Sequence, residues 1–319
     1  MGDVLYHARL PGIPSRLLPS SSPPSRATAI GLLAIVCWSA AVGLIRSISE
    51  ALGPAGGAAC LFTVSALLVC LVRGLPALSR FHPAYLYGCG ALFAAYEICL
   101  ALAIGLAHTR AESLELGMIN YLWPSLTIVV AVLARQARGN WLLWPGAALS
   151  FLGIVWITGD GQVLSLGRLQ AHIAGNPLAY GLAFAAAGLW AAYSVLTRRY
   201  GRGENGVALF LLATATLLWI QHGLSAEAHV LDALAAHPGA AGQVLVLGAL
   251  VATGYSCWNH GIQKGNMAFL AAASYFTPVL SALLAAVWLR QQPGAAFWQG
   301  VAMVTLGSLV CWQATRARA

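Results

Sequence analysis

Charge is what this 319-residue sequence has least of. Asp, Glu, Lys and Arg make up 8% of it, against ~25% in an ordinary soluble domain. That is too little to cover a water-facing surface, and a soluble globular protein is excluded. What fills the space is apolar: 59% of residues are hydrophobic and the mean hydropathy is +0.76. The apolar runs recur at about the 20 residues that a helix needs to cross a bilayer. The chain therefore reads as an all-α integral membrane protein with the lipid bilayer as its solvent.

Other absences remove whole classes of chemistry. The seven cysteines (Cys37, Cys60, Cys70, Cys89, Cys99, Cys257 and Cys311) fall in or beside apolar runs and none forms a C-x-x-C pair. They read as small buried hydrophobes. There is no H-E-x-x-H, no glycine-rich loop followed by Lys and no convincing Ser-His-Asp grouping, so neither an ATP-driven pump nor a membrane enzyme is expected. No metal and no cofactor is expected either. No Lys or Arg lies at mid-membrane, so a phosphate-bearing substrate would find no fixed cation. The net charge of +8 is not a nucleic-acid signal, because retained cytoplasmic loops carry such an excess in membrane proteins.

Ten spans can be counted, at roughly 28–48, 54–73, 84–107, 111–133, 141–158, 176–199, 206–222, 239–264, 267–290 and 295–313. Residues 1–27 are rich in Pro, Ser and Arg and have no continuous apolar core. They read as a disordered cytoplasmic tail, neither signal peptide nor span. Residues 159–175 read as a connecting loop, 314–319 as a second short tail, and 223–238 as a loop able to form an interfacial helix. With the amino terminus inside, only Arg46, Arg110, Arg168 and Arg290 of the 17 basic residues fall outside. Both termini are therefore expected in the cytoplasm, in a multi-pass plasma membrane protein.

The chain also repeats itself. A shift of 154 positions aligns Tyr121 with Tyr275, Pro124 with Pro278, Trp144 with Trp298, Gly146 with Gly300 and Gly153 with Gly307. A shift of 152 aligns Trp38 with Trp190 and Arg46 with Arg198. The halves are 28–158 and 176–313, each of five spans. Five is odd, so the second half must enter the membrane inverted. Such repeats mark secondary transporters, whose sites lie near the midplane between the halves. The paired glycines, seven apart, read as places of close helix approach.

The five-plus-five inverted repeat, the Trp in spans 1 and 6, and the tyrosine-x-x-proline turns of spans 4 and 9 resemble the drug/metabolite transporter superfamily. Within it the chain resembles the EamA-type exporters, over about residues 28–313. The resemblance implies a basket of ten helices around a central cavity in the bacterial inner membrane. It also implies export of aromatic or other apolar amino acids, or of related metabolites, by alternating access.

Aromatic residues at span ends are the usual interfacial belt. Trp38, Tyr96, Tyr121, Trp123, Trp190, Tyr193 and Tyr275 are instead near span middles, where an N–H or O–H finds no partner in lipid. Either they pack helices together or they wall a cavity. Trp190, Tyr193 and Ser194 share a helical face with Thr197, and Tyr255, Trp258 and Asn259 repeat that spacing on span 8. Flat rings beside hydroxyl and amide groups suit a ligand with an apolar ring and a polar end, though a polar packing seam would look the same. Glu97 is the one acid near mid-membrane, a functional candidate by default. It would bind an amino group, carry a coupling proton, or bond structurally to a neighbouring helix.

Pro124 and Pro278 each deny a hydrogen bond to the carbonyl four residues earlier. Those carbonyls belong to Asn120 and Ser274, expected here as cavity groups, with the prolines as hinges. Two further readings stay open: a transporter of small drugs or other metabolites, and a membrane component that transports nothing.

Overall fold

A computed structural model describes residues 26–159, 161, 166–264, 270 and 273–315, apart from the side chains of 166–169, 259 and 262–264. Among the described residues there are helices and turns but no strands. The first half contains α1 (Arg26–Ser39), α2 (Ala41–Leu52), α3 (Pro54–Arg73), α4 (Gly90–Gly105), α5 (Arg110–Asn120), α6 (Trp123–Leu133) and α7 (Leu143–Thr158). Between the halves lies α8 (Leu166–Gly175), and the second contains α9 (Pro177–Tyr200), α10 (Val207–Leu224), α11 (Val230–Ala236), α12 (Pro238–Lys264), α13 (Thr277–Trp288) and α14 (Ala295–Thr315). Eight segments are long and apolar enough to cross a membrane, and two apolar helices, Leu143–Thr158 and Thr277–Trp288, are shorter.

Three local expectations meet a different structure. Residues 166–175, expected within a loop, form α8, and Arg26 and Ala27, expected in the tail, already belong to α1. The rest of the expected tails, 1–25 and 316–319, lies outside the described residues. The prolines of spans 4 and 9 do not bend continuous helices. Tyr121 and Leu122 form a turn after α5, and Tyr275 and Phe276 form one before α13. Pro124 and Pro278 then sit in the first turn of α6 and α13. That is where a missing N–H costs nothing, because the first N–H groups of a helix have no partner in it.

The halves pack as their sequence shift requires. Exchanging each span for the one five later turns the contact of α1 with α12 into that of α9 with α4, and both are extensive. It likewise turns α6 on α9 into α13 on α1, and α3 on α12 into α10 on α4. The pairs α7–α14 and α3–α10 map onto themselves. The paired glycines lie at the first of these self-related contacts. A Cβ on Gly300 would sit 2.6 Å from the Gly153 carbonyl, and one on Gly307 2.6 Å from the Gly146 carbonyl. Only glycine lets these two backbones touch.

Both copies also end span 4 and span 9 with the same cap. Arg135 and Arg290 adopt the left-handed conformation at φ 57° and 53°. The next N–H reaches back five residues, from Gln136 to the Ala131 carbonyl and from Gln291 to that of Ala286. This is a Schellman closure, which satisfies carbonyls that the helix end would leave open.

Candidate functional site

Near the middle of the bundle lies a cavity offering about 80 Å³ to the centres of water-sized molecules. That is room for roughly five to eight waters at ~10–15 Å³ each, comparable with one amino acid bearing a single aromatic side chain. Both halves wall it. From the first come Trp38, Tyr96, Glu97, Asn120, Tyr121 and Trp123; from the second come Trp190, Tyr255 and Ser274.

The rings form a connected wall. Trp190 stands 4.5 Å from Tyr96 and 6.0 Å from Trp123, centroid to centroid, and the Trp38 ring lies 5.4 Å from Tyr255. Gly254 makes room for that indole, since a Cβ there would fall 2.7 Å from Trp38 Nε1. Phe93, fully buried, stands behind the wall at 5.3 Å from Tyr255 and 5.5 Å from Tyr193. Tilted and edge-on contacts of this kind hold rings in place beyond their area of burial.

Among the polar groups in the wall, those of Glu97, Trp38 and Asn120 bear most on a ligand. The Glu97 carboxyl, from α4, accepts a hydrogen bond from the Tyr255 hydroxyl of α12. No ion pair among the described residues involves Glu97. The Trp38 indole N–H and the Asn120 side-chain oxygen are buried without any hydrogen-bond partner. An unmet buried donor or acceptor costs about 1–3 kcal/mol. Both residues line the one cavity, so its wall carries one donor and one acceptor without a partner in the protein.

Other expected site residues stand elsewhere. Tyr193 packs behind Trp190 at 5.2 Å, and Ser194 turns its hydroxyl back to the Trp190 carbonyl at 2.7 Å. Trp258 supports Trp38 at 5.4 Å without lining the cavity. The Asn259 side chain lies outside the described residues. Tyr275 is absent from the lining and faces Trp312 at 6.4 Å, so the two tyrosine-x-x-proline copies are not equivalent walls. Nor is the Ser274 carbonyl left open by Pro278, since it accepts from the Thr277 hydroxyl at 2.6 Å. Pro124 and Pro278 are buried at the turns behind the cavity.

The lining residues that sequence reasoning passed over are mostly apolar: Ala41, Val42, Ile45, Leu61, Phe62, Leu100, Ile104 and Val251, with Thr277. A signal for several was present. Leu100 and Ile104 follow Tyr96 at i+4 and i+8, and Val42 and Ile45 follow Trp38 at i+4 and i+7, each along one helical face.

Relatives fit this geometry. The EamA-like transporter family profile matches residues 177–312. The aromatic amino acid exporter YddG of Salmonella typhimurium (strain 14028s / SGSC 2262) is 45% identical over 92% of this chain and 99% of its own. This chain belongs to the EamA-type transporters. The Escherichia coli (strain K12) aromatic amino acid exporter YddG is 44% identical over 91% of this chain and 98% of its own. A solved crystal structure is similar with a TM-score of 0.63 and 27% identity, covering 92% of this chain and all of that one. The family match falls on the second half, while these relatives extend the likeness across both.

Proposed function

We propose that this protein exports aromatic amino acids from the cytoplasm by alternating access, in the plasma membrane of a bacterium and with both termini inside. The observation that carries the reading is the cavity itself. Its aromatic wall is interrupted by an unpartnered N–H on Trp38, an unpartnered oxygen on Asn120 and the carboxyl of Glu97. A zwitterionic amino acid complements that set. Its carboxylate accepts from the Trp38 indole, its ammonium donates to Asn120 and Glu97, and its ring stacks among Tyr96, Trp123 and Trp190. The curated relatives named as aromatic amino acid exporters support the same substrate class. The preponderance of basic residues on one set of loops supports the orientation.

Counterflow into proteoliposomes tests the assignment, with phenylalanine, tyrosine and tryptophan measured against alanine and glutamate. The aromatic three should exchange well above empty vesicles and well above the other two. Equal rates for all five, or none above background, would remove aromatic amino acids as the substrate.

A further inference from the structure

The outer end of the cavity is closed by charge. Ile45 and Ile104 line the void, and the residues that follow them, Arg46 and Gly105, are joined by a hydrogen bond of 3.3 Å from the Arg46 guanidinium to the Gly105 carbonyl. The same guanidinium donates to the Ala107 carbonyl, and Arg46 Nε holds Glu50 at 2.9 Å. Arg110 grips both oxygens of that carboxylate, Nε on Oε1 at 3.0 Å and Nη2 on Oε2 at 2.7 Å. Its remaining arm reaches the Leu289 carbonyl, just past α13, at 3.4 Å. The cluster thus ties α2, α4 and α5 of the first half to α13 of the second. Isolated surface ion pairs hold little, whereas a forked pair within a network holds more. Arg46 itself is only 9% exposed.

The opposite face carries the counterpart without the closure. Under the shift of 152 that relates spans 1 and 6, Arg46 corresponds to Arg198, and the first acid that follows each is Glu50 and Glu204, respectively. Arg198 and Glu204 are both exposed. Among the described residues neither takes part in an ion pair. Two related ends of one inverted repeat are therefore in different conditions, one latched and one free.

We propose that Arg46, Glu50 and Arg110 form an outer latch over the cavity. Its counterpart, an inner latch made by Arg198 and Glu204, closes when the outer one opens. The inference deepens the alternating-access reading and rests on it: the repeats would exchange conformations, and only one latch would be engaged at a time. A latch that biases a two-state equilibrium changes access at both faces in opposite senses.

The test needs no substrate, so it fails or succeeds separately from the transport assay. A cysteine is placed at Val42, a buried cavity residue on the latch side. Its labelling by a membrane-impermeant thiol reagent is measured above that of the parent protein, in intact cells and in inside-out vesicles. Glu50→Gln should speed labelling from outside by roughly fivefold or more, the lower end of usual coupling between states, and slow it from inside. Glu50→Asp, which keeps the charge, should stay within about twofold of the parent, well below that coupling range. Glu204→Gln should slow labelling from outside. Unchanged outside labelling in Glu50→Gln overturns the outer latch, as does a rise from both faces, which would signal loosening of the helices. Faster or unchanged outside labelling in Glu204→Gln overturns the inner one.

Discussion

The Tyr255 hydroxyl donates a hydrogen bond to Oε1 of Glu97, joining α12 of the second repeat to α4 of the first inside the cavity wall. Both side chains are buried, Glu97 at 8% and Tyr255 at 7% exposure. The bond gives a mid-membrane acid a fixed partner while leaving it on the surface that a ligand would touch. Spans 3 and 8 are equivalents under the repeat, so the contact joins the two halves at corresponding places.

Tyr255→Phe should lower stability by about 1–3 kcal/mol, because the acceptor stays buried when its donor is removed. Thermal unfolding in detergent measures the loss. Glu97→Gln keeps the size and the ability to accept, so its stability should change less than that of Tyr255→Phe. Its transport of amino acids should fall, and any response of flux to a pH gradient should disappear. Gradient-driven flux equal to that of the parent would exclude Glu97 as the coupling group.

Trp38→Phe removes an indole N–H that has no partner in the protein. We expect the apparent KM for tryptophan to rise by roughly tenfold, the equivalent of one charge-assisted hydrogen bond of ~1.5 kcal/mol. Tryptamine, which lacks the carboxylate, should compete equally well with both proteins. Equal weakening for both ligands would assign Trp38 to packing alone.

Gly300→Ala forces a Cβ against the Ile157 side chain and to within 2.6 Å of the Gly153 carbonyl. Backbone cannot yield as a long side chain does, and overpacking typically costs about 1–3 kcal/mol. The unfolding temperature should drop. The same change at Gly181, where a Cβ would meet nothing within 4 Å, should have little effect.

Thr277→Val deletes the hydroxyl that donates to the Ser274 carbonyl beside Pro278. A loss of about 0.5–1.5 kcal/mol is expected for that bond, with Thr277→Ser retaining most of the parent stability. If the turn at Tyr275 acts as a hinge, Thr277→Val should also change the exchange rate in the counterflow assay. An unchanged rate alongside lowered stability would leave the turn a structural role only.

Much of the cavity was legible because its chemistry is carried by residues that lipid penalises. Trp38, Tyr96, Glu97, Asn120 and Trp190 are conspicuous at mid-span, and all five line the void. Tyr193 and Tyr275 carried the same signal and stand behind it or beside Trp312. Depth in the membrane can be read from sequence, but the direction in which a ring points is set by its neighbours. The prolines show the same limit. Their spacing announced a break in each span, but a kink and a fresh helix start have one sequence signature; the turn at Tyr121–Leu122 distinguished them.

Composition and repetition by themselves determined that this chain lives in a bilayer, that it is helical and that its two halves resemble one another. Those properties follow from hydropathy, span length and a fixed sequence shift, which can be read along the chain. The tertiary structure decided which rings meet, that Trp38 and Asn120 carry buried atoms without partners, and that Arg46 and Glu50 are paired while Arg198 and Glu204 are exposed with no ion pair among the described residues. These depend on distances of a few ångströms between residues far apart in sequence, and no local pattern encodes them.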